Sequence, residues 1–522
     1  MDNLVELEKV LLSNRHIIDA QSFFQPAHPA QFKLESKAAV SLIKQAIKRQ
    51  AKILVFGDYD ADGICATAII WRTLFDLGAE VKPFIPHREK HGYGITVATL
   101  QEIFNDPLVG GKPDLIITVD NGIVAHEAIA FAKKQGVQVI ITDHHSAEKT
   151  LPPADAIVHS TDLCGASVAW ILCHQLTNLH STDQLDLVGL ATIADQVPLT
   201  NMNRAFAWHG LKALQKTKRP GLLALLKEAE FKAADIDEYA VNYVLAPRIN
   251  AMGRLKHGLE ALRLLCTKNI QQAQELAKLL DSTNKARQDL TFQALAQIEV
   301  NTEQKIIITH SANYHEGVIG LIAGKLSEKY YQPSIAISVG PQIAKGSARS
   351  VKGINITDLL REIKDDLLSV GGHPLAAGFS FESSKLALII EKLQVLAQKI
   401  EPALLKRSLA VDCVLPSHLF NFDLIDLISK FAPFGPQNKA PLFSFPNLKI
   451  KNLTQMGEKK QHLRVTARDQ AGREIKAVAW NMGEQNVALA KATQITIIGS
   501  PEINLWRDKK YLQVKVREFQ ID

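Results

Sequence analysis

The run Ile53-Leu-Val-Phe56 passes directly into Gly57-Asp58-Tyr-Asp60-Ala-Asp62-Gly63. An apolar, β-branched run that stops abruptly in alternating carboxylates reads as a buried strand delivering acids to its carboxyl end. Three like charges held that close repel one another unless a cation sits among them. The stretch therefore predicts a sheet with both faces covered and, at its edge, a divalent-metal site.

The flanking sequence fits such a sheet. A helix is predicted from about Ile64 to Leu77, stopping at Gly78, and further strands over Val81 to Ile85, Leu115 to Val119 and Val137 to Thr142. Helical stretches such as Ala125 to Gln135 separate them, the pattern of parallel strands joined by crossover helices. In such sheets chemistry collects at the carboxyl ends of the strands. Two more strands end in acids or imidazoles there, as Asp120-Asn121-Gly122 and Asp143-His144-His145. A further acid, Asp195, follows the mostly apolar Leu187 to Ala194, so burial is expected and an unpaired carboxylate there is costly. Taken singly, an Asp after a strand is more often a turn or cap, and a His pair an ordinary loop. Convergence on one sheet edge is what points to chemistry. Carboxylates with an imidazole suit Mn²⁺ or Mg²⁺, and the nitrogen ligand tilts the choice toward Mn²⁺. Two such ions, about 3.5 to 4 Å apart, clamp the attacking and leaving oxygens of an in-line displacement at phosphorus.

The series Asp60-Ala-Asp62-Gly63, Val119-Asp120-Asn-Gly122, Asp143-His144-His145 and Asp195 resembles the four motifs of the DHH phosphoesterase family. The resemblance implies that Asp120 bridges two metals, that Asp60 holds one, and that Asp62, His144 and Asp195 hold the other. It further implies that His145 touches the substrate phosphate or acts near the leaving group, with Asp143 orienting the histidines. Asp58 is left as a supporting or capping residue. Some members of the family carry a histidine ligand four residues before the first ligand aspartate, where this chain has Phe56. That departure implies a weaker first metal site, or one completed by substrate phosphate.

At 522 residues the chain exceeds what one core can hold. The expected division is an N-terminal helical segment (1–50), the parallel-sheet catalytic domain (51–215), a helical connector (216–300), a second α/β domain that binds substrate (301–403) and a C-terminal β-barrel (404–522). Substrate contacts are expected from Tyr93, between two glycines that let backbone approach a ligand. Arg248, Asn250 and Arg254, set around Gly253, read as a phosphate cradle. The long helical pattern from about Asn269 to Val300 reads as a connection without chemistry. In the second α/β pattern, His315-Glu-Gly317 and the glycines up to Gly324-Lys325 enter a helix that could offer free N–H groups to a phosphate. This is not a Walker loop, because Leu326 stands where Mg²⁺ would need a hydroxyl. Ser347, Arg349 and the turn Gly371-Gly372-His373 follow. Together they resemble the DHH-associated domain, whose Gly-Gly-His motif faces the metal site across a cleft.

From about Leu409 short alternating runs read as five strands, the size of an OB-fold. Lys449, Lys451, Lys459, Lys460, Arg464, Arg468 and Arg473 interleave there with Trp480, Trp506 and Tyr511, a mixture suited to single-stranded nucleic acid. The net charge of +6 permits a polyanionic partner without demanding one. No apolar run reaches membrane-spanning length, and the first residues do not read as a signal peptide. Five cysteines without a Cys-x-x-Cys pair point to a reducing cytoplasm and away from a zinc-thiolate site. The order of domains resembles the single-strand-specific DNA exonucleases among the DHH phosphoesterases. It implies 5′ to 3′ release of 5′-mononucleotides in recombination and repair by a monomer with two Mn²⁺ or Mg²⁺ ions. A single-strand-binding protein and a helicase are the implied partners. Two other readings stay open: a phosphodiesterase for short oligoribonucleotides or cyclic dinucleotides, and a replication factor that binds single strands without cutting them.

Overall fold

The computed structural model describes residues 3–106, 111–177, 184–507 and 509–521, without the Trp506 side chain. β1 (Ile53–Phe56), β2 (Val81–Phe84), β3 (Leu115–Val119), β4 (Gln138–Asp143) and β5 (Ala156–His159) form an all-parallel sheet in the order β2-β1-β3-β4-β5. β1 and β3 are buried along their whole length, as continuous apolar runs require. The chain leaves β1 for β2 on one side and returns to β3 on the other. The crevice above β1 and β3 is therefore the topological switch point, where ligands bind in open parallel sheets. β5, a short edge strand, lay outside the sequence expectation.

The helix after β1 starts at Ala61, three residues earlier than expected, because Asp60 caps it by accepting from Gly63 N–H at 3.0 Å. With helices Gly165–Thr177 and Leu185–Ala194 it covers one face of the sheet. Ile95, Leu100, Ile103 and Ile129 cover the other, and Phe56 lies fully buried among them, stacked on Phe84 at 5.3 Å. The helical region beyond Asp195 joins the same core through Leu222, Leu225, Leu245, Ile249 and Leu262.

The second sheet consists of β6 (Ile307–Ser311), β7 (Ser334–Val339), β8 (Ile343–Arg349), β9 (Ser369–His373) and β10 (Ala376–Glu382), ordered β6-β7-β8-β10-β9 with only β6 and β7 parallel. Gly371-Gly372-His373, expected as a turn, is the end of edge strand β9. The reversal falls one step later, at Pro374-Leu375, and Gly372 has φ +142°, with Ala376 O in the way of any Cβ.

β11 (Cys413–Val414), β12 (Phe443–Met456), β13 (His462–Arg468), β14 (Glu474–Ala479), β15 (Ile495–Trp506) and β16 (Lys509–Ile521) form the third sheet, which a β12–β15 pairing closes into a barrel. β15 and β16 are much longer than the short strands expected. Beyond Gly499 strand β15 pairs with β16 alone, and a strand with one free side tolerates a proline such as Pro501. The N-terminal segment is divided between two cores. Leu7 and Leu11, on helix Leu4–Asn14, complete the barrel core, and Arg15 pairs with Asp412 at 2.8 Å. Helix Lys37–Lys48 instead packs Ala39, Ile43 and Ala46 against the first sheet.

Candidate active site

The ends of β1, β3 and β4 bring Asp58, Asp60, Asp62, Asp120, His144 and His145 together at the switch point, and Asp195 joins them from the end of helix Leu185–Ala194. Ligand atoms of Asp62, His144 and Asp195 lie within 4.8 Å of one another, as do those of Asp58, Asp60 and Asp120, and those of Asp120, His144 and His145. Asp120 thus belongs to groups on both sides. Its backbone is left-handed at φ +61°, a conformation that aspartate tolerates and that points to a functional constraint. Gly122 follows at φ +110°, and a Cβ there would come 2.7 Å from Thr118 Oγ1.

The acids are held by backbone rather than by cations. Gly165 N–H and Ala166 N–H, at the start of helix Gly165–Thr177, donate to the two Asp62 oxygens at 2.6 and 2.8 Å. Asp58 accepts from Tyr59 N–H at 2.7 Å. Among the described residues no lysine or arginine reaches ion-pair distance of these five carboxylates; only His144 does, with Nε2 at 3.1 Å from Asp120, 3.7 Å from Asp195 and 3.8 Å from Asp62. Burial, and after it the charge of neighbouring carboxylates, raises Asp58 and Asp120 well above the ordinary range, Asp62 to about 7 and Asp195 to about 9. Asp195 is half-buried rather than sealed. Burial and the neighbouring His145 lower His144 to about 4, leaving a neutral imidazole with a lone pair to offer. Asp120 Oδ1 is buried with no hydrogen-bond donor. Crowded oxygens, a neutral imidazole and an orphaned buried acceptor fit divalent cations of the Mn²⁺ or Mg²⁺ kind.

His145 plays a different part. Asp143 accepts from its Nδ1 at 2.8 Å and also takes the Ile123 N–H at 2.9 Å. Burial alone would lower His145 and raise Asp143, but their mutual bond outweighs it, so His145 binds its proton more tightly and Asp143 stays ionised. On the far side of the ring, Nε2 lies 3.0 Å from the Tyr93 hydroxyl.

Beside the acids stands a group of arginines. Arg254 contacts Gly317 O at 3.3 Å, Arg349 donates to Ser347 Oγ at 3.1 Å and Ala348 O at 2.8 Å, and Arg88 lies over the Tyr59 ring at 5.3 Å. Burial, then the charges of Arg88, Arg287 and Arg349, lowers Arg254 to about 10. Among the described residues none of these four arginines makes an ion pair, and Arg287 Nε is buried without a partner. Gly320 keeps the place open, since a Cβ would come 3.0 Å from Arg349 Nη2 and 3.1 Å from Ser347 Oγ. Cations half-buried this close together ask for an anion with several oxygens, as phosphate has.

Not every expected contact assembles here. Arg248 is taken up by Asp281 at 2.9 Å, on helix Ile270–Ala296. Asn250 Oδ1 accepts from Ala61 N–H at 2.7 Å and so fixes the acid loop. His315 turns Nδ1 onto Gly317 N–H and Nε2 toward Glu89 at 3.8 Å. The ring of His373 is exposed on β9, with no contact to the acids among the described residues. Conversely, the helix read as a bare connection supplies both Asp281 and Arg287. Asp58 stands in a metal-competent group that the sequence reading left it out of. Arg88, in the basic run before Gly92, carried a weak signal; Arg287 and Gly165 carried none.

Three family models match the chain: the DHH family N-terminal domain over residues 52–193, the DHHA1 domain over 303–399 and the RecJ OB domain over 411–518. The chain is 31% identical over 518 residues to the single-stranded-DNA-specific exonuclease RecJ of Haemophilus influenzae, with 92% of this chain and 89% of that protein covered. It belongs to the RecJ family. The Bacillus subtilis RecJ is 34% identical over 502 residues, covering 92% of this chain, which in turn spans 63% of that relative's length. The Thermus thermophilus RecJ structure in complex with Mn²⁺ superposes with a TM-score of 0.86 at 29% identity, over 99% of this chain and 76% of that one. The RecJ of the same organism in complex with Mg²⁺ gives 0.79 at 27% identity, over 99% and 74%.

Proposed function

We propose that this chain is a metal-dependent exonuclease that degrades single-stranded DNA from the 5′ end, releasing 5′-mononucleotides, in recombination and repair. The observation that carries this reading is the juxtaposition of buried carboxylates lacking a cation with half-buried arginines lacking an acid. A phosphodiester strand together with divalent cations satisfies both.

Asp58, Asp60 and Asp120 would hold one ion and Asp62, His144 and Asp195 the other, and Asp120, which also stands with His144 and His145, would serve both. Bound there, Mn²⁺ or Mg²⁺ neutralises the carboxylates and supplies Lewis acidity toward the phosphodiester and water. Arg88, Arg254, Arg349 and Ser347 grip the terminal phosphate, which positions the next phosphodiester over the acids without reading a base. Asn250 keeps the acid loop in place through Ala61 N–H. Asp143 orients His145 and favours its protonated form, so His145 Nε2 can contact a phosphate oxygen or deliver a proton to the leaving oxygen. Tyr93, bonded to the same nitrogen, steadies the ring and is released to the strand when phosphate arrives.

The barrel, with exposed Trp480 and Lys476 near Tyr511, binds the strand further along. The chain works as a monomer in the cytoplasm, on strands opened by a helicase and coated by single-strand-binding protein; its five free cysteines suit a reducing compartment. The test uses 5′- and 3′-labelled single strands, duplexes and RNA, each with Mn²⁺, Mg²⁺ or chelator. Release of the 5′ label as mononucleotide, from single-stranded DNA and only with metal, is expected. Prior release of the 3′ label, or equal cutting of duplex, would overturn the reading.

A further inference from the structure

The helical stretch that begins at Glu238 carries chemistry at one end and an unexplained feature at the other. Its residues run as Glu238–Ala240, a π-helical turn Val241–Leu245 and Ala246–Leu255, with helical backbone at the junctions. Near its carboxyl end sit Asn250, which fixes the acid loop, and Arg254, which belongs to the arginine group. Near its start, Tyr239 and Tyr243 stack ring on ring, 4.6 Å between centroids and 29° between planes, yet are 56% and 64% exposed. Two stacked aromatic rings left in water forgo burial that a core position would give them.

Their placement relates them to the active site. Counted at 100° per residue, Asn250 and Arg254 fall about 20° to either side of Tyr243 around the helix axis, and Tyr243 precedes Asn250 by about 10 Å along it. Arg248, about 140° away from Tyr243 on the same wheel, faces Asp281 on another side. The tyrosine pair is also tied at both ends. Asn242, between the two tyrosines in sequence, accepts from Gln196 Nε2 at 2.8 Å, and Gln196 directly follows the candidate ligand Asp195. Glu238 accepts from Phe434 N–H at 2.6 Å, in the loop that leads to the barrel. The pair therefore lies between the metal-competent acids and the barrel, on the helix face that carries the substrate groups. The π-helical turn, a distortion often retained at functional sites, widens the helix where the rings stand.

We propose that Tyr239 and Tyr243 form a stacking platform for bases of the single strand as it leaves the acid cluster toward the barrel. This rests on the exonuclease reading and adds where the strand runs. Aromatic faces accept any base, so the platform holds the strand in register without imposing sequence, as an enzyme that removes nucleotides successively requires. Gln196 and Asn242 link the platform to Asp195, which makes the pair a positioning device for the reaction rather than a catalytic group.

The experiment measures steady-state hydrolysis of a single-stranded DNA of about twenty nucleotides and of thymidine 5′-p-nitrophenyl phosphate by the full chain with Mn²⁺. Its variants are Tyr243→Ala, Tyr239→Ala, the double substitution and Tyr243→Phe. The alanine variants should raise KM for the strand about tenfold each, leave kcat within twofold and leave hydrolysis of the small ester unchanged. Tyr243→Phe, which keeps the ring, should restore the wild-type KM. In parallel, 2-aminopurine placed successively along a phosphorothioate strand should be quenched on wild-type protein and regain fluorescence on the double variant at one or two adjacent positions. Unchanged KM and quenching in the double variant overturn the proposal, as does an equal loss on the small ester, which would mark a structural role. Should the wild-type chain fail to cut the strand at all, the exonuclease reading falls; the quenching arm still decides the platform by itself.

Discussion

The acid edge of the first sheet and the arginine group beside it are opposites built by different means. Elsewhere the chain neutralises a buried acid with an arginine: Asp186 meets Arg219 at 3.0 Å, and Asp281 meets Arg248 at 2.9 Å. Among the described residues, five carboxylates gather at the switch point with no such partner, and a short way off Arg88, Arg254, Arg287 and Arg349 gather with no carboxylate. The acid side reaches the basic one, since the charge of Asp60 acts on Arg254, yet among the described residues no ion pair closes between them. A protein that pairs its acids when stability is the aim has left these unpaired, and the deficit on each side matches what a phosphodiester with divalent cations brings.

The largest effect expected from breaking this opposition is at Asp120, the one acid that stands in two of the three metal-competent groups. Asp120→Ala should reduce strand hydrolysis to background at every Mn²⁺ concentration, measured with a 5′ label; appreciable turnover would remove the residue from the centre of the account. Next comes the backbone cradle. A Cβ at Gly165 would sit 2.7 Å from Asp120 Oδ1, and the same residue's N–H holds Asp62. Gly165→Ala should weaken Mn²⁺ binding about 10- to 100-fold by titration calorimetry, while circular dichroism stays unchanged. On the opposite side, Arg349→Ala should raise KM for a 5′-phosphorylated strand about tenfold and spare kcat, because a charge-assisted bond to phosphate is lost. Equal effects on phosphorylated and hydroxyl 5′ ends would sever the arginines from terminal phosphate recognition.

The smallest effect is on stability. Asp62 and Asp195 titrate near 7 and 9 in the folded chain, above the ordinary value of 3.8. A raised carboxyl favours the fold while protonated, so its contribution is complete below about pH 4 and is lost as pH climbs through 7 toward 9. Metal-free protein should therefore lose melting temperature over that window relative to Mn²⁺-loaded protein, which binds the ionised form. A gap between the two melting curves that stays constant with pH would show the acids to be ordinary surface groups.

The sequence made the acid edge readable because each acid sits where an apolar strand stops, and strand ends in a parallel sheet share an edge. Asp58 is left out there because the family resemblance gives the metals to Asp60 and Asp62, and alternation along one strand end cannot say which of three acids turns inward. The arginine group was half legible. Arg254 and Arg349 stand by glycines, but Arg287 lies inside a long amphipathic helix whose pattern records burial and not neighbours. Arg248 looked like Arg254 in sequence, and only the fold places Asp281 against it. The docking of Leu7 and Leu11 into the barrel core was likewise invisible, since a helical pattern does not name the surface it covers. Gly371-Gly372-His373 misled in the other direction: paired glycines read as a turn, although an edge strand accommodates them equally well.

The central claim is that the acid cluster holds two ions that share Asp120. Manganese anomalous scattering from crystals of the full chain grown with Mn²⁺ tests it directly. The account predicts two peaks about 3.5 to 4 Å apart, one against Asp58 and Asp60, one against Asp62, His144 and Asp195, and both touching Asp120. A single peak, or manganese that leaves Asp120 untouched, would contradict it.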